Sequence, residues 1–266
     1  HYPILDHHRL DGKPVVPFAL MAEWFGHGAL HNNPGLRLAG LNEMRLLKGI
    51  VLDVRQRPIR VLAGSARPNA DGIEVNLELR DGVAAGAEVI HSRATALLVE
   101  QLPDPPAFTI PETLQQADYH RDTAAIYTDI LFHGTALQGL QRVRACSPAG
   151  MLAELATAPD PGAWILTPPR NRWIADPLVL DGAFQMASLW CYEERGQVSL
   201  PSYSAAYRQY CRHFPAGPIR AVLVVQTASR HKLVADFPFL DRDGRVLAEI
   251  KGSEAVMADR LMRAFK

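Results

Sequence analysis

No apolar run in this sequence approaches the roughly 18 residues that suggest a membrane-spanning helix. Its start carries neither a basic segment nor the apolar stretch of a secretory signal. Cysteine is scarce: Cys146, Cys191 and Cys211 form neither a Cys-x-x-Cys pair nor an even set. That excludes a disulfide framework and reads as free thiols in a reducing, cytoplasmic setting. Net charge is missing too, because 28 Lys and Arg balance 28 Asp and Glu. No global field therefore recruits nucleic acid or an anionic membrane, and a partner has to be recognised locally. Gly-x-Gly-x-x-Gly, Walker A and Gly-x-Ser-x-Gly motifs are all absent, which disfavours nucleotide-driven chemistry and serine hydrolysis.

What is present is enough apolar material, 48% of 266 residues, for one large core or two modest ones. The chain opens at His1 inside a patterned segment, as expected of a domain belonging to something longer. Pro103, Pro105, Pro106 and Pro111 mark 102–111 as a linker, since each removes a backbone donor and biases its predecessor away from helix. The expected division is an N-terminal unit over 1–101, a Pro-rich linker over 102–117 and a C-terminal unit over 118–266. Ahead of the linker, 18–30 reads as a buried apolar helix opened by Pro17. Strands are expected over 44–52, 59–66, 73–80 and 87–99, with Asp81-Gly82 turning between the last two. Beyond the linker the order repeats: an apolar helix over 181–192, strands over 219–227 and 232–240, then Asp243-Gly244 turning into 245–250. Pro17 to Asp81 is 64 positions and Asp181 to Asp243 is 62, so two copies of one unit are expected. The implied class is α+β, with a curled antiparallel sheet wrapping a buried helix in each half.

Among ten histidines, His8 stands out, with Gly12 four positions later and Pro17 nine later, directly before the first helix. Gly12 would let the backbone approach a ligand, and Pro17 would preset the first helical turn. At the second helix Asp181 follows apolar residues, and Gln185 lies one turn on, within reach of it. Asp181 suits a helix N-cap. It also suits a general acid, because apolar surroundings should raise its pKa and keep it protonated. His27 and His31 have helical metal-ligand spacing, but no third ligand is evident and an exposed pair is the plainer reading. Arg208, Arg212, His213 and Arg220 make a basic cluster that could meet an acidic partner or simply face solvent.

His8, Gly12 and Pro17 match the His-x-x-x-Gly-x-x-x-x-Pro signature of the dehydratase domains of type I polyketide synthases and related multienzyme fatty-acid synthases. Asp181 with Gln185 resembles that family's Asp-x-x-x-Gln/His motif. The segment Phe132-His133-Gly134 through Gly139-Leu140 is similar to its Tyr-x-Gly-x-x-Phe-x-Gly motif, and Leu200-Pro201 to its Leu-Pro segment. The resemblance spans essentially the whole chain and implies a double hotdog. Phe132 stands where many members carry Tyr, and His133 beside it could partly stand in for the missing hydroxyl. Leu137 replaces an aromatic, and His7 precedes the base where Asp is commoner. These departures look more like the iterative and polyunsaturated-fatty-acid types.

The resemblance implies removal of water from a 3-hydroxyacyl thioester on the phosphopantetheine arm of an acyl carrier protein, giving a 2-enoyl thioester. His8 would take the α-proton, Asp181 would protonate the leaving hydroxyl, and Gln185 would orient Asp181. Gly12, Pro17, Phe132, His133, Gly134, Leu200 and Pro201 would shape the substrate site. Amides over 16–19 are candidate donors to the developing oxyanion. No metal or diffusible cofactor is implied, and the expected partners are the carrier protein, other domains of the parent synthase and a second copy of the chain. A thioesterase, a product-template cyclase and a degenerate docking or dimerisation domain would share the fold. Phe18, Met21 and Phe184 suit either a tunnel wall or helix core.

Overall fold

The structure is a computed structural model that describes residues 2–52, 58–81, 88–115 and 119–266. A 3-10 turn over Pro3–His7 leads into a short hairpin, β1 (Arg9–Leu10) and β2 (Lys13–Pro14), followed by helix α1 (Phe18–His31). Strands β3 (Arg37–Leu46), β4 (Ile59–Ala63), β5 (Arg67–Asn69), β6 (Gly72–Asp81) and β7 (Val89–Val99) complete the first half. The second half holds short helices α2 (Glu112–Gln115) and α3 (Thr123–Asp129), strands β8 (Leu140–Ser147) and β9 (Gly150–Leu155), short helix α4 (Pro161–Trp164) and the long helix α5 (Pro177–Arg195). Strands β10 (Ser199–Gln209), β11 (Ile219–Ala228), β12 (Lys232–Leu240) and β13 (Val246–Met257) follow, with a last turn α6 (Leu261–Ala264).

Alternation builds the sheet: in β6, Val75, Leu77 and Leu79 are buried, with Glu74, Asn76 and Glu78 between them on the other face. Both long helices break the usual amphipathic pattern because the sheet wraps them. Helix α5 is buried continuously from Pro177 to Cys191, as a helix apolar on most sides must be. Each half is a curled antiparallel sheet around one helix, and the fold is a double hotdog. The two sheets are joined edge to edge: β3 pairs antiparallel with β10, giving the order β4-β6-β7-β3-β10-β13-β12-β11-β9-β8.

Several expectations shift. The strand expected over 44–52 ends at Leu46 and begins at Arg37. Helix α5 starts at Pro177 rather than Asp181, because the Asp176 carboxylate accepts from the Leu178 and Val179 amides at 3.0 Å each. Asp181 is therefore not an N-cap but a residue of the helix interior. Strands β8 and β9 precede α5, so the second half is not simply helix then sheet. Asp241 accepts from the Asp243 and Arg245 amides and Gly244 takes φ +87°, forming the expected turn. Gly82 lies outside the described residues. Residues 102–111 carry no regular element, whereas α2 falls within the expected linker and buries Leu114 against Ala145, Leu152 and Val222. Among the described residues no helix is long and apolar enough to cross a membrane.

Candidate active site

The β1–β2 hairpin places His8. Asp11 and Gly12 take φ of +50° and +70°, the signature of a two-residue type I′ turn. A Cβ on Gly12 would meet nothing within 4 Å, so its role is the turn and not close approach to a ligand. Pro17 sits just outside α1 as its cap residue. Neither residue lines the cavity that His8 and Asp181 share. The turn folds Val15 back onto His8: the Val15 amide donates to the His8 carbonyl at 2.9 Å, and His8 Nδ1 lies 2.7 Å from the Val15 carbonyl. A carbonyl only accepts, so Nδ1 carries the proton and Nε2 is left with a lone pair. Burial pushes the His8 pKa down to about 4, with His133 adding to the shift against the pull of Asp181, and the ring is neutral near pH 7.

Asp181 comes from the other half, in the second turn of α5. Gln185 Nε2 donates to Asp181 Oδ2 at 2.7 Å and to the Leu137 carbonyl at 2.8 Å. Its Oε1 accepts from the Tyr127 hydroxyl at 2.5 Å and the Gly139 amide at 3.2 Å, which fixes the amide's orientation. His133 Nε2 lies 3.3 Å from the same Oδ2. An isolated bridge between His8 and His133 pins the two segments together, and the Gly134 amide donates to the His7 carbonyl at 2.8 Å. One coordinating atom from each of His8, His133 and Asp181 lies within 4.8 Å of the others.

The expectation of a raised Asp181 pKa is overturned. Burial alone would raise it, but the hydrogen bond and charge of His133, the charge of His8 and the Gln185 N–H together hold it below the usual carboxylate range. Sequence patterning shows the apolar neighbours and Gln185 but not the two imidazoles, His8 and His133, arriving from elsewhere in the chain.

The cavity these groups face has a volume of about 510 Å³. Phe132, His133, Leu200 and Pro201 line it, as do Phe18 and Phe184, while Met21 is core. Gly134 and Gln185 stand behind the wall. Two contributors carry no sequence signal. Tyr127 acts through Gln185, and Phe265 packs edge-on against Phe132 at 4.5 Å from the last turn of the chain. The Phe132 ring in turn stacks on His133 at 4.1 Å and meets His8 at 4.8 Å. His27 accepts from Arg170 and belongs to no metal-ligating group among the described residues. Arg212 and His213 line a separate cleft with Arg37, Arg170 and Arg172, whereas Arg220 donates to the Asp241 and Arg242 carbonyls.

Residues 105–263, more than half of the chain, match the family described as polyketide synthase dehydratase N-terminal domain. A 198-residue stretch, 74% of this chain, is 27% identical to one of the subunits of the polyunsaturated fatty acid synthase from a Thraustochytrium species, and spans 7% of that protein's length. Among solved structures, the dehydratase domain from the CurF module of curacin polyketide synthase superposes with a TM-score of 0.76 at 15% identity, over 96% of this chain and 89% of that one. The dehydratase domain of RzxB from Pseudomonas fluorescens gives 0.74 at 15%, over 95% and 89%. At these identities the structures show the fold alone.

Proposed function

Because the chain belongs to the polyketide synthase dehydratase family, we propose that it removes water from a 3-hydroxyacyl thioester held on the phosphopantetheine arm of an acyl carrier protein, leaving a 2-enoyl thioester. The observation that carries this reading is the meeting of the His8 ring and the Asp181 carboxyl, one from each half, at one apolar-walled cavity. His8 Nε2 has the lone pair and the low pKa of a base that is unprotonated before substrate arrives. It takes the α-proton. Gln185 and His133 both occupy Asp181 Oδ2, so a proton on this carboxyl sits on Oδ1, from which it passes to the leaving hydroxyl.

The free protein favours the carboxylate, so the acid has to be loaded as the acyl chain displaces water and burial deepens. After elimination His8 holds the α-proton and Asp181 has lost one. Transfer between them restores the starting state, and the reaction needs no redox cofactor. The Val16 amide is taken by the Ile50 carbonyl at 3.0 Å and Pro17 has no N–H, which leaves the amides of Phe18 and Ala19, in the first turn of α1, as donors to the thioester oxygen. The carrier protein and neighbouring synthase domains are the partners this reading requires.

The test is mass spectrometry of carrier-bound 3-hydroxyacyl substrates. Loss of one water in wild type, with His8→Ala and Asp181→Asn each slower by roughly 10²–10⁴, is the expected result. Release of free acid from the carrier would instead mark a thioesterase. Unchanged substrate across a series of chain lengths would leave a docking or template role.

A further inference from the structure

We propose that His8, His133 and Asp181 form a binding site for a divalent transition-metal ion such as zinc, and that an ion seated there switches the active site off. The donor set is two imidazoles and one carboxylate, all buried, with one coordinating atom from each inside 4.8 Å of the others. Zinc bonds of roughly 2.0–2.1 Å at tetrahedral angles put neighbouring ligand atoms about 3.3 Å apart. His133 Nε2 and Asp181 Oδ2 already stand at 3.3 Å. Closing the wider separations asks for side-chain shifts of about 1 Å on the same reckoning.

The surroundings carry the second half of the case. A metal-bound imidazole usually donates its other N–H to a carbonyl or carboxylate, which fixes the ring and its tautomer. His8 does this through Nδ1 and the Val15 carbonyl, presenting Nε2. Gln185 steadies Asp181, and is itself held by Tyr127, Gly139 and Leu137. His133 Nδ1 is buried with no hydrogen-bond partner among the described residues, so no second bond ties this ring to its present tautomer. His8, His133 and Asp181 line one cavity, so a ligand from solvent would complete the coordination. On binding, the single proton of the neutral His133 ring moves from Nε2 to Nδ1, and the ion takes the Nε2 lone pairs of His133 and His8. The His8 lone pair is the one the elimination needs. The consequence for catalysis rests on the proposed dehydration, whereas metal binding does not.

The experiment is titration of the intact chain with cobalt(II), read by visible ligand-field absorption and by calorimetry. One ion per chain with a tetrahedral spectrum, displaced by zinc, is expected. His133→Gln and Asp181→Asn should each weaken binding roughly tenfold or more, as even losing an outer partner of a metal ligand costs that much. His27→Gln should leave it unchanged. Binding that survives both cavity substitutions, or no binding at millimolar metal, would overturn the proposal. Circular dichroism establishes that the variants fold. Should either unfold, an acyl-pantetheine thioester bound to wild type decides: displacement of cobalt supports the site, and simultaneous binding removes it. Zinc should also abolish water loss, with recovery on adding a chelator. Metal binding as expected in a protein that dehydrates nothing would leave the site standing and sink the dehydratase reading.

Discussion

Tyr127 touches neither His8 nor the cavity wall, yet the position of the Asp181 carboxyl depends on it. Its hydroxyl donates to Gln185 Oε1 and accepts from the Leu140 amide at 2.7 Å, and Gln185 in turn holds Asp181. Tyr127→Phe leaves the Leu140 N–H without its acceptor, which costs about 1–3 kcal/mol when a buried group is left unsatisfied. Urea unfolding should show that loss. Steady-state kinetics should show a lower kcat with KM nearly unchanged, because substrate contacts are intact and only the carboxyl is less well held. An unaltered kcat would make Tyr127 purely structural. The contrast with His8 and Asp181 shows what is legible at this scale. Those two residues sit in short motifs whose internal spacing survives in the sequence. Tyr127 and Phe265 reach the site from elements 58 and 133 positions from Gln185 and Phe132, and local pattern holds no trace of such meetings. The same gap explains the misjudged Asp181 pKa, since His133 arrives from another segment.

Helix α1 is fastened to the approach to α5 by one carboxylate. Glu23 accepts from the Ile174 amide at 2.9 Å and the Ala175 amide at 2.7 Å. Burial lifts its pKa from 4.5 to about 7, even though those amides and Arg170 pull it down; Asp176, itself raised to about 6, pushes it further up. Folded protein thus keeps a proton that unfolded chain has released, and stability falls as pH rises from about 4.5 to 7. At about 1.4 kcal/mol per unit the Glu23 effect is on the order of 3 kcal/mol. The lowered His8 pKa acts in the opposite direction over about pH 4 to 6.5 and Asp176 in the same one, so the quantity to follow is the difference in urea midpoint between wild type and Glu23→Gln, which should move against wild type as pH rises from 4.5 to 8. A difference that is constant with pH would contradict the buried assignment. Helix α1 itself was legible because apolar runs without Pro have few other uses. The start of α5 was misplaced because Asp176 and Asp181 both precede helix-forming residues, and only Asp176 is followed by a Pro suited to the first helical position. Strand β3 was misplaced because Gly40, Asn42 and Glu43 interrupt its alternation. Pairing on both sides, with β7 and β10, holds it regardless, and the register shift between Asn42 and Arg45 absorbs Glu43 at φ +51°.

At the scale of the molecule, duplication was legible from two similar helix-to-hairpin lengths, but the seam between the copies was not. That seam is β3 against β10, and it brings His8 from one half and Asp181 from the other to a single cavity. Gly40 lies on it opposite Arg208, and a Cβ there would fall 2.1 Å from the Tyr207 carbonyl. Backbone cannot swing aside as a side chain can, so Gly40→Ala forces the strands apart at a cost of about 1–3 kcal/mol or more. Gly12→Ala is the control. It meets open space, and its roughly 1–2 kcal/mol comes from the positive φ of a surface turn. If the joined sheet is one cooperative unit, Gly40→Ala lowers the midpoint of a single transition seen alike by far-ultraviolet dichroism and by tryptophan fluorescence. Trp24 reports on the first half, and Trp164, Trp173 and Trp190 on the second. Two separated transitions would mean that the halves hold themselves together and the seam merely docks them. In that case Gly40→Ala should lower the proposed dehydration before either half unfolds, because both halves line the cavity and the seam sets the separation of His8 and Asp181.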